Sequence, residues 1–296
     1  MTTVRVMERL SRHSALGLRF WDVATGDACV HGLQVGVFRA ADPAVVAPAL
    51  PNRSGLYVAH AVPGLRAFEF ADDSLGDPWA TPASLYRLSV SDPQGRFLPM
   101  VLDAALPARA LLSEGLAWLS PASPLALPGA SGSPSSSLLA GIPLFSAPGR
   151  PVPEPLAVVY AQMRESSTGL SVAWGLLEVR IDSRPCGLGL ADDQGRVAVM
   201  FPYPEPPRMQ LASPPEARNS FNWQVELRAF WSRPSPPLAP TAAADLGTVL
   251  DQLTEPRNVV ASTLSPGASM SLSYRVPLTA RTEGAAVQDA SYLLVA

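Results

Sequence analysis

The chain reads as an all-β protein, and three observations point there. Proline supplies 32 of its 296 residues, about twice the usual share of roughly 5%, and each interior proline would remove a helical hydrogen bond and clash with the preceding turn. Apolar residues recur at period two on either side of Gly- and Asp-centred turns, which is the spacing of half-buried strands. Stretches rich in Ser, Pro and Gly separate two such series. The prediction is two antiparallel β-sandwich modules with Pro-rich linkers and a small C-terminal element of one helix and short strands.

In chain order, residues 16–38 give a strand-like run, a turn at Thr25, Gly26 and Asp27, and alternation through Val30, Leu33, Val35 and Val37. That is a hairpin or meander pattern. Residues 40–51 read as a Pro-punctuated loop, and residues 54–60 as a strand stopped by Pro63 and Gly64. Two more strands, 86–90 and 97–106, flank Asp92, Pro93, Gln94, Gly95 and Arg96, a tight-turn sequence. The second series comprises 156–163, 170–181, 197–201 and 223–231. Within it Asp192, Asp193, Gln194, Gly195 and Arg196 repeat the pattern D-x-Q-G-R. The repeat fits an internal duplication, and it fits equally the reuse of Asp and Gly by turns for mechanical reasons. Near the end, Leu246, Val249, Leu250 and Leu253 fall at helical spacing behind Asp245 as N-cap, and Pro256 stops that helix. The resulting map is a first module over 1–119, a linker over 120–149, a second module over 150–232, and a Pro-rich arm, helix and terminal strands over 233–296.

Composition narrows the function. The 22 basic residues are all Arg, the net charge is −3 and no basic stripe is present, so nucleic acid is not an expected partner. The absence of Lys fits a GC-rich coding bias or a use of bidentate guanidinium contacts. Residues 1–12 lack the apolar run of a secretory signal, and no run reaches the ~18 apolar residues of a membrane span. A cytoplasmic protein without membrane insertion, or one carried in a particle released by lysis, is the expectation.

Chemistry has little to attach to. The C-x-H spacing of Cys29 and His31 would place both on one face of a strand, and His60 and Cys186 could join them on zinc, but ordinary buried or partly exposed side chains fit the same residues. No G-x-S-x-G elbow, P-loop or dinucleotide fingerprint is present. The pairs Asp72–Asp73 and Asp192–Asp193 could act as acid and base or hold Ca²⁺, or simply form solvated turns. Trp21, Trp174, Trp223 and Trp231 could line a sugar face or an interface, or pack in a core. The expectation is no enzyme, no cofactor and no metal. Interface residues are expected at Trp21, Trp231 and the apolar tail Tyr292, Leu293, Leu294 and Val295, because an apolar terminal strand must pair within the chain or with a neighbour.

Thr25-Gly26 followed by Val30, Gly32, Leu33, Val35 and Val37, then Ser54-Gly55-Leu56-Tyr57 and Val62-Pro63-Gly64, resembles the prealbumin-like, carboxypeptidase-regulatory-like β-sandwich pattern. Leu170 through Asp192, Gly195 and Val197 is similar to its later turn signature. The resemblance implies a prealbumin- or Ig-like sandwich and supplies no catalytic residues. Joined to Arg96-Phe97-Leu98-Pro99, Pro143-Leu144-Phe145-Ser146-Ala147-Pro148 and Phe201-Pro202-Tyr203-Pro204-Glu205, such modules resemble accessory proteins of phage-tail-like contractile injection systems. That implies a structural or adaptor part present in multiple copies, with sheath, tube, cap or baseplate proteins as partners. A carbohydrate- or peptide-binding sandwich is the alternative.

Overall fold

In the computed structural model the described residues are 12–71, 76–109, 111–112, 141–205, 221–233, 243–263 and 270–296. In chain order the strands of the first half are β1 (Gly17–Leu18), β2 (Phe20–Asp22), β3 (Gln34–Arg39), β4 (Asp42–Pro51), β5 (Tyr57–Ala59), β6 (Ser84–Ser91), β7 (Met100–Leu106) and β8 (Ile142–Leu144). The second half holds β9 (Leu156–Glu165), β10 (Leu176–Ile181), β11 (Arg184–Leu190), β12 (Arg196–Pro202), β13 (Asn222–Phe230), β14 (Ala244–Asp245), β15 (Pro256–Arg257), β16 (Val259–Val260), β17 (Met270–Ser273), β18 (Leu278–Ala280) and β19 (Leu293–Val295). Among the described residues helix is confined to α1 (Arg66–Glu69), α2 (Leu246–Asp251) and short 3₁₀ turns. The all-β class and the small C-terminal helix are both present.

A seven-stranded sheet in the order β1-β5-β4-β3-β6-β7-β14 dominates the first half. It is antiparallel except at β14, which lies parallel to β7. Its inner face carries Val35, Val37, Ala47, Ala49, Tyr57, Tyr86, Leu88, Val90, Met100 and Leu102, all buried. Over that face lie the parallel pair β2–β8 and the apolar side of α2, through Leu246, Val249, Leu250 and Leu253. The Asp245 carboxylate accepts from the Thr248 amide at 3.0 Å, the N-cap that the sequence predicts, and it satisfies a donor the first helical turn leaves open.

The stretch 40–51, expected to be a loop, is corrected to the long strand β4. Its prolines did not prevent pairing because β5 joins β4 only at Ala49–Pro51. Before that point β4 has β3 alone beside it, so only alternate residues must donate to a ladder and Pro43 and Pro48 can be accommodated.

In the second half two sheets pack face to face as a sandwich. One has the order β11-β10-β13-β15 with β17 also on β13, and the other β12-β9-β19-β16 with β18 also on β9. Val159, Met163, Leu177, Val179, Val199, Phe201, Val225, Leu272, Leu293 and Val295 fill the space between them. The tail strands β15 to β19 thus complete this sandwich. Strand β11, not anticipated from the sequence, is Gly-rich for a steric reason: a Cβ at Gly187 or Gly189 would come within about 3 Å of Phe201, Val199 or Val197, so glycine lets β11 lie close against β12.

The β10–β11 ribbon is buried from both sides. Leu177 and Val179 face the sandwich interior, whereas Leu176, Leu188 and Leu190, with Phe230 of β13, join the core under the seven-stranded sheet. Of the stretch 120–149, residues 120–140 lie outside the described residues, and Ile142–Leu144 is the buried strand β8. Of the second Pro-rich stretch, 232–240, only Ser232 and Arg233 lie among the described residues.

Candidate functional site: an apolar sheet face and an aromatic sandwich end

Alternation along the seven-stranded sheet turns a second set of residues outward. Cross-strand register arranges them in rows. Leu50 stands beside Val58, and Pro48, Gly36, Ser89 and Val101 form the next row. Val46, Phe38, Arg87 and Asp103 form the third, and Leu85 with Ala105 the fourth. Val46 is 52% exposed, Leu50 65% and Leu85 58%, and Phe38, Val58 and Val101 are half-buried. Most outward positions of a solvated antiparallel sheet carry polar side chains; here Gln34, Ser89 and Ser91 are polar, Asp245 stands beside Val101 on the edge strand β14, and the five central strands carry one ion pair. Arg87 Nε donates to Asp103 Oδ1 at 2.7 Å. The hydrogen bond from Arg87, more than its nearby charge, holds the Asp103 carboxyl below the usual carboxylate range despite partial burial.

A second cluster closes one end of the sandwich. Tyr203 follows β12 and Phe221 precedes β13, so both continue the inward parity of Phe201 and Trp223. Tyr203 and Trp223 have ring centroids 5.5 Å apart, and Tyr274, in the turn after β17, lies 4.8 Å from Tyr203. The Tyr203 hydroxyl accepts from the Arg275 amide at 2.8 Å, which holds Arg275 at a φ of +60° with its guanidinium 5.4 Å from the Tyr274 ring. The buried Trp223 Nε1 has no hydrogen-bond partner among the described residues.

The residues singled out from the sequence fall in several places. Trp21 is buried in β2 within the first core, and Trp231 follows β13 in the second. The tail finds its partner within the chain: β19 lies parallel to β9 and antiparallel to β16, with Leu293 and Val295 buried, Leu294 half-buried, and the Tyr292 ring 3.7 Å from the Arg164 guanidinium. Trp174, half-buried with φ of +57°, accepts at its carbonyl from Gln252 Nε2 at 2.9 Å.

The two D-x-Q-G-R segments have the same local structure. Asp92 accepts from the Gln94 and Arg96 amides and from Arg96 Nε at 3.1, 2.9 and 2.8 Å, and Asp192 does so from Gln194, Arg196 and Arg196 Nε at 2.9, 2.9 and 2.8 Å. Gly95 and Gly195 have φ of +67° and +76°. Their settings differ. The first turn joins neighbours β6 and β7 of one sheet, whereas the second arches from β11 in one sheet to β12 in the facing one. The motif is a shared turn chemistry, and the equivalent topological placement that a duplication requires is not found.

Cys29 and Cys186 do not meet, since the first packs on the first core and the second lies in the sandwich core. Burial pushes both thiols up, away from the reactive thiolate. Among the described residues no three His, Cys, Asp or Glu side chains gather in a metal-ligating set, and no helix is long and apolar enough to cross a membrane. Asp72 and Asp73 lie outside the described residues; Asp192 and Asp193 belong to the second turn, where Asp192 is held by Arg196.

The outer sheet face is hidden in the sequence because the prolines of residues 40–51 read as a loop; its signal is the alternation through Val46, Pro48 and Leu50. A buried bidentate ion pair is hidden as well. Arg150 Nη1 and Nη2 donate to the two Asp22 carboxylate oxygens at 3.1 and 2.6 Å, and Nη1 also donates to Ser146 Oγ at 2.9 Å. This pair ties β2 to the segment after β8. Beside it, Leu98 donates its amide to the Phe145 carbonyl and Ala147 to that of Arg96, so two of the three segments of the injection-system resemblance lie against each other.

No protein-family profile matches the chain, and no curated protein matches it. Among solved structures, the shaft pilin of Lactobacillus rhamnosus GG is similar over 95% of this chain and 96% of that one, at 7% identity and a TM-score of 0.21. A superposition that loose defines no common strand order.

Proposed function

We propose that the chain is a non-catalytic structural subunit of a multi-protein assembly, attached to neighbouring chains through the outer face of its seven-stranded sheet. The observation that carries this reading is the exposure of Val46, Leu50 and Leu85 among half-buried Phe38, Val58 and Val101 on one continuous face. Contiguous exposed apolar surface of this kind marks interaction sites. The finer reading, an accessory part of a phage-tail-like contractile particle in the cytoplasm or released by lysis, is supported by the sequence resemblance of its three short segments. The test is to introduce Val46→Asp with Leu50→Asp in the native host and isolate the particle. Loss of the chain from the particle, with its circular dichroism unchanged, is expected. Retention at the wild-type level would refute the reading.

A second reading, binding of a glycan or peptide, is favoured by the rings of Tyr203, Phe221, Trp223 and Tyr274 gathered at one sandwich end. Stacking on such rings suits sugars and proline alike. Tyr274→Ala would abolish ligand capture on this reading and leave particle incorporation intact on the first.

A further inference from the structure

We propose that the outer face of the seven-stranded sheet docks first on the same face of a second copy of this chain, forming a two-fold dimer that is the unit of assembly. The inference rests on the structural reading above and names the partner that the face fits.

Three features select a second copy. The first is charge. The five central strands of the face hold one cation and one anion, Arg87 and Asp103, already paired with each other, and the further carboxylate of Asp245 lies on the edge strand β14 beside Val101, where it also acts on Arg87, so the middle of the face is neutral. A partner of strong charge would gain nothing there, and another neutral apolar face would lose nothing. The second is geometry. A two-fold axis running along β3, the middle strand of the five from β5 to β7, sets β4 of one copy over β6 of the other. Val46 then covers the aliphatic stem of Arg87 in the second copy, as long charged side chains allow, and Asp103 falls at the rim. No charge meets its like, which is the requirement of an isologous contact. Aligned packing of two sheets about 10 Å apart gives this arrangement without rebuilding either.

The third feature is area. Five strands spaced about 4.8 Å and four rows spaced about 6.8 Å make a face roughly 24 Å on a side, on the order of 500 Å² measured flat. Two such faces bury about 1,000 Å² together, the lower limit for a specific interface. A contact of this size dissociates on dilution, as a unit that goes on to join a larger particle must.

The test is sedimentation of the purified full-length chain across a dilution series, beside three variants. Wild type is expected to shift from dimer to monomer on dilution. Val46→Arg with Leu50→Arg, which sets a cation against Arg87 of the second copy, and separately Leu85→Asp, should weaken dimerisation by at least 100-fold; circular dichroism and thermal melting confirm folding. Val287→Asp, at the most exposed apolar position away from this sheet, should leave the dimer unchanged. A wild-type monomer at every concentration, or a dimer indifferent to the three substitutions on the face, overturns the proposal. If wild type is monomeric and the face variants still lose their place in the native particle, self-association is refuted and the structural reading stands.

Discussion

At the residue scale, buried charged groups organise the first half. Glu69 is fully buried, and burial alone would raise its pKa. The amides of Ala61 and Val62, each at 2.9 Å, and the Arg12 guanidinium at 3.1 Å outweigh that and hold it below the ordinary value of 4.5. A carboxyl whose pKa is depressed by folding contributes stability that is complete above its unfolded pKa and is lost as pH falls through the folded value. Glu69→Gln should therefore cost about 1–3 kcal/mol near pH 7, by leaving buried donors poorly matched. The gap between variant and wild type should narrow below about pH 4, as measured by urea unfolding at several pH values. The Arg150–Asp22 pair makes a different prediction, because both side chains are over nine-tenths buried. Arg150→Met alone strands a carboxylate and should cost about 3–5 kcal/mol, whereas Arg150→Met with Asp22→Leu should recover much of that loss. A single variant as stable as wild type would show that the pair is not sealed from water.

At the element scale, turns were the most legible part of the chain and pairing the least. Asp92 to Arg96 and Asp192 to Arg196 were identified as turns because Asp captures nearby amides and Gly supplies positive φ. Which strands those turns join depends on contacts made far along the chain, and no local pattern encodes them. The same split separates two like substitutions. Gly95→Ala meets open space and should cost about 1–2 kcal/mol for its left-handed backbone. At Gly195 the added Cβ would lie 2.5 Å from the Met163 carbonyl oxygen, a backbone atom that cannot step aside. Gly195→Ala should exceed the cost of Gly95→Ala by more than ~1 kcal/mol in chemical unfolding. The terminal strand follows the same logic. It was legible as apolar and needing a partner, but its partner β9 precedes it by more than a hundred residues. Deleting residues 291–296 removes buried Leu293 and Val295 from the sandwich core, so near-ultraviolet dichroism of the second half should collapse instead of assembly alone being lost.

At the scale of the whole molecule, the two strand series visible in the sequence imply two modules, yet the second sandwich supplies part of the first core. Leu176, Leu188, Leu190 and Phe230 complete the first core from strands that belong to the second sandwich. The sequence could not reveal this, because an apolar run such as that of β10 reads the same whether its second face meets a neighbour or the same module. Burying a side chain of this size is worth about 1.5–3 kcal/mol, so four of them amount to roughly 6–12 kcal/mol. That is comparable to the entire ~5–15 kcal/mol by which a native protein is stable. Neither half could lose the other and keep a favourable balance, and the chain should unfold in one cooperative transition. Tryptophan fluorescence can follow both halves at once, since Trp21 lies in the first core and Trp223 and Trp231 in the second. Leu188→Ala, costing about 2–5 kcal/mol, should move that single transition to lower denaturant without splitting it. Two resolved transitions in the wild-type chain, or a Leu188→Ala variant that melts in two steps, would mean that these four residues do not couple the halves.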